Sequence, residues 1–208
     1  MERITNILDV ETLIDNIDVV IFDLDDTLYS EKDYVISGYR AVSENYKEFS
    51  DMEALLRRAF EQGKKAFNEV FAAKGILDED NLNKAIMIYR YHEPIISLYE
   101  GVEDMLVRIK SLGKKLGLIT DGRPEGQRAK IKSLRLEGLF DKIIITDELG
   151  GVEFRKPNEK AFTIMQEFFG KPFGKMMYIG DNSKKDFVAP CKLGMKSCHF
   201  ANKDGLYI

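Results

Sequence analysis

Residues 18–28 read Asp-Val-Val-Ile-Phe-Asp-Leu-Asp-Asp-Thr-Leu. Val19 to Phe22 form a short continuous apolar run rich in β-branched residues, which predicts a strand buried on both faces. Asp23, Asp25 and Asp26 follow at the carboxyl end of that strand, where open parallel sheets bind their ligands. Unit charges about 4 Å apart repel by roughly 4 kcal/mol at an effective dielectric near 20, so a bare cluster of this kind calls for protons or a cation. Mg²⁺ suits hard oxygen ligands and keeps coordination positions for water and phosphate. An acidic turn facing solvent would present the same residues, so the other strand ends must decide between the two.

Downstream of this stretch the pattern changes. Three long amphipathic segments, residues 34–49, 52–74 and 80–91, carry apolar residues at spacings of three and four, as in Leu55, Leu56, Ala59 and Phe60. After Gly101 helices and strands alternate. Strands are expected at 116–120, 143–146, 176–180 and 196–200, and helices at 102–112, 125–134, 158–169 and 187–193. Strands alternating with helices of this length imply parallel crossovers. The expected fold is therefore α/β, a doubly wound, Rossmann-like parallel sheet formed by residues 1–31 and 98–208. Residues 32–97 form an inserted α-helical domain. Residues 1–17 read as a lead-in with a short helix at 10–14 and no assigned chemistry.

Composition narrows the class. The 208 residues suffice for one sizeable core plus an insertion, and 44% of them are apolar. A net charge of −4, from 31 basic and 35 acidic residues mixed along the chain, offers no basic face for nucleic acid. The N-terminus lacks a signal-peptide pattern and no apolar run nears bilayer length, so a cytoplasmic protein without membrane partners is expected. Cys191 and Cys198 lie in apolar stretches without metal-ligand spacing and read as reduced packing residues.

Three further strand ends carry matching polar groups. Thr120 is followed by Asp121, Gly122, Arg123 and Pro124, a turn whose hydroxyl and backbone N–H groups suit phosphate oxygens. Lys156, before Pro157, offers a positive charge to phosphate and to a carboxylate. Gly180 and Asp181, with Asp186 five residues on, return two carboxylates to the same edge. Asp181 is a candidate metal ligand, and Asp186 a group that orients Lys156 or metal-bound water.

In this order the pieces resemble the haloacid dehalogenase (HAD) superfamily, in its phosphatase branch with an α-helical cap inserted after the first motif. The resemblance spans residues 18–200, and residues 97–102 are similar to the family's return from cap to core. It implies Asp23 as the nucleophile that forms an aspartyl-phosphate and Asp25 as the acid/base. Thr120 and Lys156 would act with them, and phosphate would be held by Thr120, Asp121, Gly122, Arg123 and Lys156. Mg²⁺ would be bound by Asp23, the backbone carbonyl of Asp25, and Asp181, with Asp186 behind them. The activity implied is hydrolysis of a small phosphorylated metabolite, with specificity set by the cap.

Asp121 departs from the family's usual Asn or Ser, and its side chain is expected to point away from phosphate. Pro190 is expected to shorten or bend the last helix. A phosphomutase, or a non-catalytic phospholigand-binding module on the same fold, would use the same residues. A dehalogenase has no leaving oxygen to protonate, which argues against it here because Asp25 is present.

Overall fold

A computed structural model describes residues 1–206. Its strands are β1 (Glu2–Ile4), β2 (Val19–Phe22), β3 (Lys115–Thr120), β4 (Lys142–Ile145), β5 (Met176–Gly180) and β6 (Lys196–Phe200). They form one six-stranded sheet in the order β1-β6-β5-β2-β3-β4, parallel throughout. The chain winds from β2 to β3 and β4 on one side and then to β5 and β6 on the other, so the doubly wound α/β architecture is observed. Every residue of β2 is fully buried, as a continuous apolar run between two partner strands requires.

The edge strand β1 is absent from the sequence reading. It has three residues and only Ile4 is buried, so it carries no readable alternation. The lead-in helix is a 3₁₀ helix at Ile7–Leu13, capped by the Asn6 side chain, which accepts from the Leu8 N–H.

The chain divides into two compact units, Lys32–Ile95 and the remainder, with the return falling at Ile96. The first unit is helical: α1 (Glu31–Ser43, entering it from the preceding unit), α2 (Met52–Glu61), α3 (Ala66–Lys74) and α4 (Glu79–Tyr91). The single amphipathic stretch 52–74 is broken into two helices around Gly63, whose φ of 68° falls in the left-handed region. Its core gathers Tyr39, Val42, Leu56, Val70, Phe71 and Ala85. The sequence also offers Tyr29, Tyr34, Tyr39, Arg40, Tyr89, Arg90, Tyr91 and His92 as polar tips for a specificity surface, most of them expected to be packing or solvated residues. Of these, Tyr34 and His92 are buried against each other, with ring centroids 5.0 Å apart, and His92 Nδ1 lies 2.7 Å from the Tyr89 carbonyl.

The α/β unit carries α5 (Val102–Ser111), α6 (Pro124–Ser133), α7 (Lys160–Phe169) and α8 (Val188–Leu193). Val19, Ile21 and Ile119 pack with Phe162 and Met165 of α7 beneath the sheet. Pro190 is the third residue of the short α8, where the first-turn N–H needs no intrahelical partner, so the helix accepts it. Both cysteines are free, but only Cys198 is buried. Cys191 is exposed and is no packing residue, because it lies on the outer face of α8. No helix among the described residues is long and apolar enough to cross a membrane.

Candidate active site

The register of the sheet decides where the polar residues fall. Phe22 pairs with Leu118 on one side and Ile179 on the other, so β2, β3 and β5 end within two residues of one another. The Asp23 N–H continues the ladder by donating to the Ile179 carbonyl at 2.8 Å. Asp23, Thr120 and Asp181 therefore meet at one edge, at the point where the strand order reverses.

Immediately after Asp23 the backbone turns, with Leu28 N–H donating to the Leu24 carbonyl at 3.0 Å. Asp26 sits in this turn at φ 52°, and its carboxylate accepts from the backbone of Glu31 at 2.9 Å and Leu206 at 2.7 Å. Both oxygens are thus spent on backbone N–H groups, one of the following turn and one near the C-terminus.

Lys156 is fully buried and its ammonium lies 2.7 Å from Asp23 Oδ1, 2.8 Å from Asp186 Oδ1 and 2.8 Å from the Tyr178 hydroxyl. Burial would lower its pKa, but Asp186 and Asp23 hold it well above the ordinary lysine value. The other Asp186 oxygen accepts from the Asn182 N–H at 2.9 Å. Gly180 makes this possible, because a Cβ there would lie 2.9 Å from the Asp186 Cγ.

Asp25 stands in a separate group. Its carboxylate is 2.7 Å from Lys130 Nζ, accepts from Gln127 Nε2 at 2.9 Å, and accepts from the Tyr29 hydroxyl. Burial pushes the acid upward, yet Lys130, Tyr29 and Gln127 together hold it below the ordinary aspartate value. Gln127 also donates to Thr120 Oγ1, which ties the β3 end to Asp25.

Asp121 turns its carboxylate into a cage. Oδ1 accepts from Thr146 Oγ1 at 3.0 Å and from the Lys156 backbone at 3.1 Å, while Oδ2 is 2.9 Å from Lys185 Nζ. Gly122 follows at φ 140°, beyond the reach of most side chains, so the turn can keep its backbone close to a ligand. Asp23, Asp25, Asp121, Gly122, Lys156 and Asp181 line one cavity of about 360 Å³. Thr120 is fully buried behind it. Arg123 is exposed and does not line it; Pro124 opens α6 there, and the helix turns Gln127 and Lys130 toward the cavity instead.

Gln127, Lys130, Arg155, Lys185 and Glu31 also line the cavity and were not singled out in the sequence. Gln127 and Lys130 share a helix face at a spacing of three, but many exposed helices show the same pattern. Only the Thr120 turn immediately upstream distinguished this face.

The carboxylates fit a divalent cation. Asp23, Asp181 and Asp186 bring oxygens within 4.8 Å of one another, all buried. Burial, then repulsion from Asp23 and Asp186, pushes the Asp181 carboxyl up to about 8, and burial pushes Asp23 up to about 7 despite Lys156. Among the described residues no hydrogen-bond donor reaches the Asp181 carboxylate. With Asp186 committed to Lys156 and Asn182, the oxygens available to a hard cation are those of Asp23 and Asp181.

The haloacid dehalogenase-like hydrolase family profile matches residues 20–200. A glyceraldehyde 3-phosphate phosphatase of Methanocaldococcus jannaschii is 30% identical over 194 residues, spanning 85% of this chain and 81% of that protein. Pyrophosphatase PpaX of Halalkalibacterium halodurans is 25% identical over 87% of this chain and 82% of its own length. Among solved structures, a HAD-superfamily hydrolase of subfamily IA from Geobacter sulfurreducens superposes with a TM-score of 0.66 at 17% identity, covering 88% of this chain and 87% of that one. The HAD hydrolase YfnB of Bacillus subtilis, solved bound to magnesium, gives 0.64 at 21% identity over 88% and 86%. With its sheet order, its strand-end residues and these matches in agreement, the chain belongs to the haloacid dehalogenase-like hydrolase family.

Proposed function

We propose that the protein is a Mg²⁺-dependent phosphomonoester hydrolase that acts on a small phosphorylated metabolite through an aspartyl-phosphate on Asp23. Its relatives are named phosphatases, and phosphoric monoester hydrolysis is the activity of the chain at the coarser level. The observation that carries the finer reading is the pair of carboxylates on one cavity with different environments. Asp23 is pushed up to about 7 by burial, against the pull of Lys156, and Asp25 is held low by Lys130 against its burial. Carboxylates whose environments separate their proton affinities are suited to different roles.

In this reading Asp23 attacks phosphorus, and Asp25 protonates the departing ester oxygen. A water then attacks the aspartyl-phosphate, giving its proton to Asp25 and restoring the Asp23 carboxylate as orthophosphate leaves. Lys130 favours the ionised form of Asp25, which serves the second step; the acid form needed first is reached at the cost of weakening that pair. The backbone of Asp121 and Gly122 and the Thr120 hydroxyl hold phosphoryl oxygens, and Lys156 keeps Asp23 in place. Mg²⁺, held by Asp23, Asp181 and the Asp25 carbonyl, would neutralise charge on the phosphoryl group. The helical unit Lys32–Ile95 is assigned to substrate discrimination as a cap, and a cytoplasmic location accords with these substrates.

The test is phosphate release from a panel of phosphorylated metabolites with and without Mg²⁺. Glyceraldehyde 3-phosphate and pyrophosphate belong in it because relatives carry those names. Release from at least one ester, abolished by chelation, is expected. An enzyme that isomerises a sugar phosphate without releasing phosphate would favour the mutase reading instead.

A further inference from the structure

Five carboxylates line the cavity: those of Asp23, Asp25, Glu31, Asp121 and Asp181. Asp23 faces Lys156 at 2.7 Å, Asp25 faces Lys130 at 2.7 Å, Asp121 faces Lys185 at 2.9 Å, and Asp181 is left for a cation. Glu31 has no such role. Among the described residues no ion pair or hydrogen bond reaches its carboxylate, and it stands outside the group of acids close enough to share a metal ion. Its backbone is fixed by the turn that carries Asp25, since the Glu31 N–H donates to Asp26 Oδ1 at 2.9 Å. As the first residue of α1 it gains from the helix dipole, but an exposed carboxylate would gain that without being buried. Here burial and repulsion from Asp25 push the carboxyl up to about 7, against the pull of Lys130. Among the charges, Asp25 acts on Glu31 most strongly, so Glu31 stands on the side of the cavity where the ester oxygen departs.

We propose that Glu31 reads the leaving alcohol, accepting a hydrogen bond from one of its hydroxyls and repelling a carboxylate in that place, so that the substrates are phosphate esters of neutral polyols and not of hydroxy acids. The proposal deepens the phosphatase reading and rests on it. A site lined by a carboxylate without a partner is satisfied by a ligand that brings a donor, and it rejects a ligand that brings a like charge. Lys130, which could otherwise receive an acidic leaving group, is paired with Asp25. Specificity of this kind comes from repulsion as much as from contact.

The experiment compares glycerol 3-phosphate with 3-phosphoglycerate, which differ only by a hydroxymethyl group against a carboxylate. It reads kcat/KM with Mg²⁺, and also Kd by titration calorimetry on Asp23→Asn, which cannot form the aspartyl-phosphate. The wild type should favour glycerol 3-phosphate by about 10-fold or more, the scale of one hydrogen bond to a charged group. Glu31→Gln keeps the shape and removes the charge, so it should admit 3-phosphoglycerate and lower that ratio about 10-fold. Glu103→Gln, in the first turn of α5 and off the cavity, should leave the ratio as it is. A wild type that does not favour glycerol 3-phosphate, or a ratio unmoved in Glu31→Gln, would overturn the proposal while released phosphate upholds the phosphatase reading. Failure of that reading looks different: no ester releases phosphate, yet adding Glu31→Gln to Asp23→Asn still shifts the Kd ratio.

Discussion

Lys130 Nζ lies 2.7 Å from Asp25 Oδ1, in an ion pair whose side chains are 5% and 17% exposed. Removing one partner of such a pair leaves a charge without compensation, at a cost on the order of 3 kcal/mol. Lys130→Met should lower stability by about that amount in urea unfolding. Adding Asp25→Asn should recover much of it, because the orphaned charge is gone. Additive losses in the double variant would mean that the two residues are not coupled.

The same pair predicts a pH effect. The ammonium lowers the Asp25 pKa, so its removal raises it, and the ionised form that accepts a proton from water appears only at higher pH. The acid limb of kcat in Lys130→Met should shift to higher pH. An unshifted limb, with kcat reduced equally at every pH, would contradict this role of Lys130.

Gly180→Ala tests the close approach behind the cavity. The new Cβ would meet the Asp186 carboxylate, and Asp186 has no exposed surface into which it could retreat. Overpacking of this kind costs about 1–3 kcal/mol. The displaced carboxylate would also loosen Lys156, so a lower Tm and a severalfold lower kcat are expected. A variant with wild-type Tm and kcat would show that the turn yields without cost.

Much of this arrangement was readable before the structure. The apolar run at Val19–Phe22 announced a central strand, and the polar residues after β2, β3 and β5 announced the edge where they meet. What could not be read depended on rotation about a helix or on short elements. Arg123 follows the Thr120 turn and so reads as a phosphate contact, but it is exposed and off the cavity, and the helix started by Pro124 brings Gln127 and Lys130 there instead. Lys185 was hidden in a run of two lysines, of which only one meets Asp121. The edge strand Glu2–Ile4 has too few residues to show a period.

Metal-free protein should lose stability as pH rises. Asp23 and Asp181 titrate near 7 and 8 when folded, above the roughly 4 of an unfolded aspartate, so between these limits the folded state binds more protons. Stability from these groups is full below about pH 4 and declines as pH rises through the folded values. Thermal unfolding in chelator should give a lower Tm at pH 8 than at pH 5, and Mg²⁺ should restore it chiefly at pH 8. A Tm insensitive to Mg²⁺ at pH 8 would remove the basis for assigning a metal to Asp23 and Asp181.

Covalent phosphorylation of Asp23 is the central event of the proposed reaction, and intact-protein mass measurement reads it directly. Asp25→Asn keeps the nucleophile and removes the proton carrier, which is typically worth 10² to 10⁴ in rate. With Mg²⁺ and an activated ester whose leaving group scarcely needs a proton, the first step should outrun the second. The predicted spectrum shows Asp25→Asn carrying one phosphoryl group that maps to the peptide containing Asp23 and decays slowly, with none on Asp23→Asn. A phosphoryl group on Asp23→Asn, or wild-type turnover by Asp25→Asn with no phosphorylated species, would contradict the account.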